Sequence, residues 1–139
     1  MLTQIINGKV FTPHGWVENG SVLIDGTRIK AVLNHSKVAD GVEKVIDAKG
    51  DYVLPGGVDI HVHGGGGRDF MECTEEAFVA AVEAHRKHGT TSIFPTLSSS
   101  TVPMIQEALA TCDKLVEDPM SGVLGLHLEG PYFNPKMAG

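Results

Sequence analysis

The sequence predicts an α/β protein in two parts: a small β-rich unit over residues 1–54, then the opening strands of a parallel sheet over residues 55–139. Three observations predict it. Short β-branched runs punctuated by Asn7-Gly8, Asp25-Gly26 and Lys49-Gly50 fill the first fifty-odd residues. A Pro-Gly-Gly break follows at residues 55–57. Beyond it, apolar runs of strand length alternate with segments of helical period, the pattern of parallel strands joined by right-handed crossovers.

Taken in order, residues 4–11 alternate around Asn7-Gly8, a candidate turn. Val22, Leu23 and Ile24 precede Asp25-Gly26, and Ile29, Ala31, Val32 and Leu33 follow. An Asp-Gly pair between two such runs signals a hairpin, because glycine accepts the positive φ of the turn. Residues 44–48 and 52–54 read as two short strands on either side of Lys49-Gly50-Asp51.

Residues 58–63 open the second part as a strand. Thr74 is placed to cap a helix whose first turn holds Glu75 and Glu76, favourable to its dipole. Phe78, Ala81, Val82 and His85 recur at helical spacing, and Gly89 is placed to end that helix. Residues 91–97 form a second strand. Residues 98–101 supply a cap before Pro103, and Ile105, Ala108, Leu109, Cys112, Leu115 and Val116 make an apolar stripe on a second helix. Asp118-Pro119 closes it, and residues 123–129 form a third strand. Three strands and two helices complete no common parallel fold, and a closed barrel of eight strand–helix units takes about 250 residues. The chain reads as the amino-terminal part of something larger.

Composition narrows the function classes. Of 139 residues, 42% are hydrophobic and 20% charged, a profile that folds in water around a core. A net charge of −6 with 11 scattered Lys and Arg argues against nucleic acid as a partner. No run approaches the roughly 18 apolar residues of a membrane helix, and the start lacks a basic-then-apolar leader. Cys73 and Cys112 stand far apart outside any Cys-x-x-Cys pattern. A reducing, cytoplasmic setting is therefore expected, with no membrane partner.

The chemistry concentrates at two strand ends. On residues 58–63 side chains alternate, so Asp59, His61 and His63 share one face and Val58, Ile60 and Val62 the other. Two imidazoles about 7 Å apart along one face can converge on one ion, and neutral imidazole is a common ligand for zinc and other first-row metals. On residues 123–129 the same alternation puts Gly125, His127 and Glu129 together. A buried carboxylate needs a cation or several donors. Glu129 is therefore either a metal ligand or half of an ion pair, with Arg68 the nearest candidate partner in kind. His127 and Asp59 sit deeper and read as groups that orient the ligands. The run Gly64–Gly67 either lets backbone approach a ligand or simply turns the chain, and matches no phosphate-loop spacing. Thr96 either faces the site or caps the following loop. His14 and His35 read as solvated, and His85 and His88 as cations at a helix end.

The segment PGGVDIHVH at residues 55–63, after a small β unit, resembles the amidohydrolase superfamily. Within it, HLEGPY at residues 127–132 and TTSIFPTL at residues 90–97 are similar to the N-acetylglucosamine-6-phosphate deacetylase family. The resemblance implies the amino-terminal portion of a metal-dependent (β/α)8 TIM barrel preceded by a small β-sandwich-like domain. It implies one or two divalent ions, Zn or Fe, with Glu129 on the main ion and His61 and His63 on a second. Further histidines, an acid–base aspartate and the phosphate-binding groups are implied on later strands, so no catalytic acid–base residue is expected in these 139 residues and no turnover from them alone. The implied reaction of the full-length protein is deacetylation of an amino-sugar phosphate, N-acetylglucosamine 6-phosphate, by a homodimer. The alternatives are a cyclic-amide hydrolase of the dihydroorotase and hydantoinase type, or a catalytically silent binding domain. The chain departs from the family's Lys-Gly-Ala-His at Lys136-Met137-Ala138-Gly139.

Overall fold

A computed structural model describes residues 1–137, so Ala138 and Gly139 of that last departure lie outside the described residues. The chain divides into two compact units, Met1–Pro55 and Gly56–Gly139.

In the first unit, β1 (Leu2–Thr12), β2 (Gly15–Asp25) and β3 (Arg28–Leu33) form an antiparallel meander. The second hairpin turns on Gly26 and Thr27, since Asp25 still pairs with Arg28. The first hairpin turns at Pro13-His14, which carries no glycine and was not anticipated from the sequence. Thr12 supplies the missing turn chemistry: its hydroxyl donates to the Gly15 carbonyl and accepts from the His14 N–H. Asn7-Gly8 is not a turn. Asn7 takes a φ of 55° inside β1, and the pairing with β2 slips there, so the pair is a bulge that the strand runs through. Two short strands, β4 (Lys44–Asp47) and β5 (Tyr52–Val53), then pair parallel with β1 before and after the bulge. The result is one five-stranded sheet, and the described residues of this unit supply no second layer of a sandwich. Its interior mixes Val10, Val22 and Leu23 with buried Gln4 and Ser21. Gln4 spends its whole amide on partners, donating to Ser21 Oγ and the Lys37 carbonyl and accepting from the Ala39 N–H. That clamp orders the segment after β3.

The second unit begins with β6 (Gly57–Val62) and a hairpin of β7 (Gly64–Gly65) with β8 (Arg68–Asp69). A 3₁₀ turn follows at Phe70–Glu72, then α1 (Glu75–Arg86), β9 (Thr90–Leu97), α2 (Val102–Val116) and β10 (His127–Leu128). Asp69 and Glu72 close a reciprocal capping box around the 3₁₀ turn, and Thr74 caps α1 by accepting from the Ala77 N–H. Thr101 precedes α2 without a side-chain bond, and Pro103 sits in the first turn. The sheet order is β10-β9-β6, all parallel.

Both helices bury one stripe against this sheet: Phe78, Ala81 and Val82 from α1, and Ala108, Cys112 and Leu115 from α2. Phe70, Ile93 and Leu97 complete the core, with Phe70 and Phe78 edge to face at 4.9 Å. Leu109 and Val116, read as part of the α2 stripe, are exposed, and so are Val58 and Ile60 on the back of β6. The third strand is shorter than the sequence suggested. Val123 makes a lone bridge to Ile93, and the ladder resumes only at His127, with Gly125 between at a φ of 155°. No helix of the described residues is long and apolar enough to cross a membrane.

Candidate metal centre

β6 carries His61 and leads into His63, and it leaves its ladder next to them. β6 pairs with β9 at Val58↔Ser92 and Asp59↔Ile93, and next at Val62↔Pro95. Side chains satisfy the backbone in the gap. Asp59 Oδ1 accepts from the His61 N–H at 3.1 Å. The hydroxyl of fully buried Thr96 accepts from the Val62 N–H at 3.0 Å. The Ile60 carbonyl meets Nδ1 of His127 at 2.8 Å, and because a carbonyl only accepts, that nitrogen carries the proton. His127 and Thr96 are direct neighbours across β10 and β9, so one rung supplies two of the three replacements.

His63, one residue beyond β6, is tied to the core through its backbone. Its carbonyl accepts from the Phe70 N–H at 2.9 Å, and the Phe70 ring is fully buried. Glu129 is fixed from the other side, its N–H donating to the Leu97 carbonyl at 2.9 Å.

These anchors bring three donors together. Nε2 of His63 lies 3.0 Å from Glu129 Oε2, and Nε2 of His61 lies 3.6 Å from the same oxygen. All three ligand atoms fall within 4.8 Å of one another. The rings of His61 and His63 stand edge to face at 5.1 Å, and His127 packs on the far side of His61 at 4.9 Å. A tetrahedral ion with N and O ligands at about 2.0–2.2 Å spaces its donors by roughly 3.4 Å, which the observed 3.0 and 3.6 Å bracket. Two imidazoles and one carboxylate also suit a borderline divalent metal. The residues present therefore fit such an ion.

Several sequence readings are corrected here. Arg68 is not the partner of Glu129: it lies 3.5 Å from Glu72, four residues on. Of the two readings of the glycine run, the turn is the one observed, as a hairpin. Gly66 and Gly67 both take positive φ, 60° and 80°, as a two-residue turn between twisted strands requires. Gly65 packs so close to α1 that a Cβ would come within 2.8 Å of His85 Nε2. His85, in the last turn of α1 as read, also donates from Nε2 to the Gly64 carbonyl at 2.8 Å and so holds this hairpin to the helix. Asp59 and His127 orient the strand backbone and pack on a ring, and neither bonds a ligand nitrogen of His61 or His63. Thr96 spends its hydroxyl on the β6 backbone between the two histidines rather than on the loop that follows it. One participant went unread: Ser98, whose hydroxyl lies 3.2 Å from His63 Nδ1. Its only signal in the sequence was its place directly after a strand end, where parallel sheets gather polar groups.

Several known proteins are similar to this chain. An N-acetylglucosamine-6-phosphate deacetylase of Haemophilus influenzae is 29% identical over 140 aligned residues, which cover 100% of this chain and 36% of that protein. A dihydroorotase of Staphylococcus aureus is 36% identical over 115 residues, covering 82% of this chain and 26% of that one. A crystal structure of N-acetylglucosamine-6-phosphate deacetylase from Pasteurella multocida superposes with a TM-score of 0.89 at 27% identity, over 98% of this chain and 36% of that one. The chain thus spans only about a quarter to a third of the length of these relatives. The amidohydrolase family pattern runs through residues 52–138, taking in the strand with both histidines and the one with Glu129, and the chain belongs to the amidohydrolase family.

Proposed function

We infer that His61, His63 and Glu129 hold a divalent ion in a hydrolase acting on an amide bond, and that the full-length protein deacetylates N-acetylglucosamine 6-phosphate. The observation that carries this reading is the convergence of the three donors, from two different strands, within 4.8 Å. The deacetylase relatives in sequence and in structure supply the substrate class.

When bound, such an ion supplies Lewis acidity, polarising an amide carbonyl and lowering the pKa of water. The chain's own residues do the positioning. His61 and His63 present Nε2 and Glu129 presents Oε2 to the same space. Asp59, Thr96 and His127 hold the H-x-H strand in its off-ladder path, which keeps both rings turned toward Glu129. These second roles for Asp59 and His127 belong to the same proposal. So do zinc or iron as the metal, a barrel closed by further strands, a second layer over the five-stranded sheet, a cytoplasmic setting and a homodimer.

The dihydroorotase relative favours a second reading, hydrolysis of a cyclic amide. Assaying the metal-loaded full-length protein separates the two. Acetate release from N-acetylglucosamine 6-phosphate without turnover of dihydroorotate supports the deacetylase; the reverse pattern replaces it. A protein inert toward both, carrying no stoichiometric metal, would instead be a binding domain.

A further inference from the structure

His63 offers its two ring nitrogens to two different kinds of partner. Nε2 faces Glu129 Oε2 at 3.0 Å, and Nδ1 faces Ser98 Oγ at 3.2 Å. A neutral imidazole has one proton, so one nitrogen donates while the other accepts. An ion needs the Nε2 lone pair, so the proton must then sit on Nδ1, and Ser98 Oγ must accept. A hydroxyl can fill both roles, because it carries one donor, two lone pairs and a free rotor. A carbonyl cannot: His127, held at Nδ1 by the Ile60 carbonyl, is locked in one tautomer.

Ser98 is also placed as accurately as the ligands are. It follows Leu97, which is buried and pairs with Leu128, and whose carbonyl accepts from the Glu129 N–H at 2.9 Å. The same peptide that fixes Glu129 therefore carries Ser98. On the other side, the Phe70 N–H fixes the backbone of His63. The Ser98–His63–Glu129 line is thus anchored at each member by a separate backbone hydrogen bond or ladder rung.

We propose that Ser98 is a positioning residue for His63: its hydroxyl takes the hydrogen bond of Nδ1 and so turns Nε2 toward the space it shares with Glu129. This rests on the metal-centre reading. Removing the hydroxyl leaves Nδ1–H to solvent, which does not fix the orientation of the ring.

The test uses the full-length protein, zinc alone as the probe, and the variants Ser98→Ala and Ser98→Thr. Competitive zinc titration is expected to show Ser98→Ala weakened by about 10–100-fold, the usual cost of losing a group that orients a metal-bound histidine, with Ser98→Thr restoring wild-type affinity. Long-range ¹⁵N–¹H spectra of His63 supply a second readout. Zinc-loaded wild type and Ser98→Thr should show one well-defined Nδ1–H species, and zinc-loaded Ser98→Ala several or a broadened one. Circular dichroism confirms that each variant is folded. Zinc affinity unchanged in Ser98→Ala, or lost equally in Ser98→Thr, overturns this role while leaving the metal centre standing. A wild-type protein that takes up no zinc overturns both.

Discussion

Strands β1 and β6 are both interrupted; side chains close the break in β6, and side chains together with one backbone N–H close it in β1. In β1 the break falls at Asn7. Ser36 Oγ accepts from the Asn7 N–H at 2.8 Å, and the Gly50 N–H donates to the Asn7 carbonyl at 2.7 Å. The Asn7 amide reaches Asp47 at 2.9 Å. Every one of these partners closes back on the sheet, and the outcome is topological: one strand receives two short parallel neighbours along the same edge. In β6 the break is closed by Asp59, Thr96 and His127, and the outcome is chemical. Two imidazole nitrogens and a carboxylate oxygen are left facing one another with no backbone claim on them. A broken ladder is therefore no mark of function in itself. What distinguishes the second is that its repair leaves three donor atoms of two histidines and a carboxylate convergent.

Substitutions can break that comparison at several levels. The largest effect is expected at Phe70, which supports the β6 side from the core. Phe70→Ala should cost about 3–5 kcal/mol, read from the midpoint of chemical denaturation, because the ring is fully buried against Phe78. Thr96→Val preserves shape but leaves the Val62 N–H without its acceptor in a dry place, at a cost of about 1–3 kcal/mol. Ser36→Ala, the matching change at the β1 break, should cost about 1 kcal/mol or less, since this hydroxyl is only half-buried and water can take its place. Equal losses at Thr96 and Ser36 would erase the contrast drawn between the two breaks.

Smaller effects concern pH and thiol chemistry. Burial pushes the Cys112 thiol up to about 11, and Cys73 also shifts upward for the same cause. Unfolded thiols ionise first as pH rises, so the fold loses stability above the ordinary thiol range of about 8.5. Neither cysteine of the folded protein should react with iodoacetamide at neutral pH, and both should react once it is unfolded. The Asn7 amide and the Lys49 N–H lower the carboxyl of Asp47. Its contribution is present above the ordinary carboxylate range and is lost as pH falls through the lowered value. Since Asp47 is exposed, Asp47→Asn should flatten the acid limb of the stability curve only slightly.

Much of this was legible because it depends on local period. Alternation alone put Asp59, His61 and His63 on one face, and Thr74, Glu75 and Glu76 announced the start of α1. The hidden parts depend on what lies across the sheet. Nothing near Asn7-Gly8 distinguishes a turn from a bulge until β4 and β5 are seen pairing on either side of it. The third strand read as continuous because Val123 to Leu128 is apolar, yet Gly125 interrupts it. Ser98 and Thr96 acquire meaning only from β6 alongside them, and the glycine run only from the packing of α1.

The central claim is that His61, His63 and Glu129 grip one ion in common. Anomalous diffraction from crystals of the full-length protein soaked in zinc, collected at the zinc edge, tests it most directly. The account predicts a peak bonded to Nε2 of both histidines and to the Glu129 carboxylate. Zinc bound elsewhere, with those three side chains unligated, would contradict it.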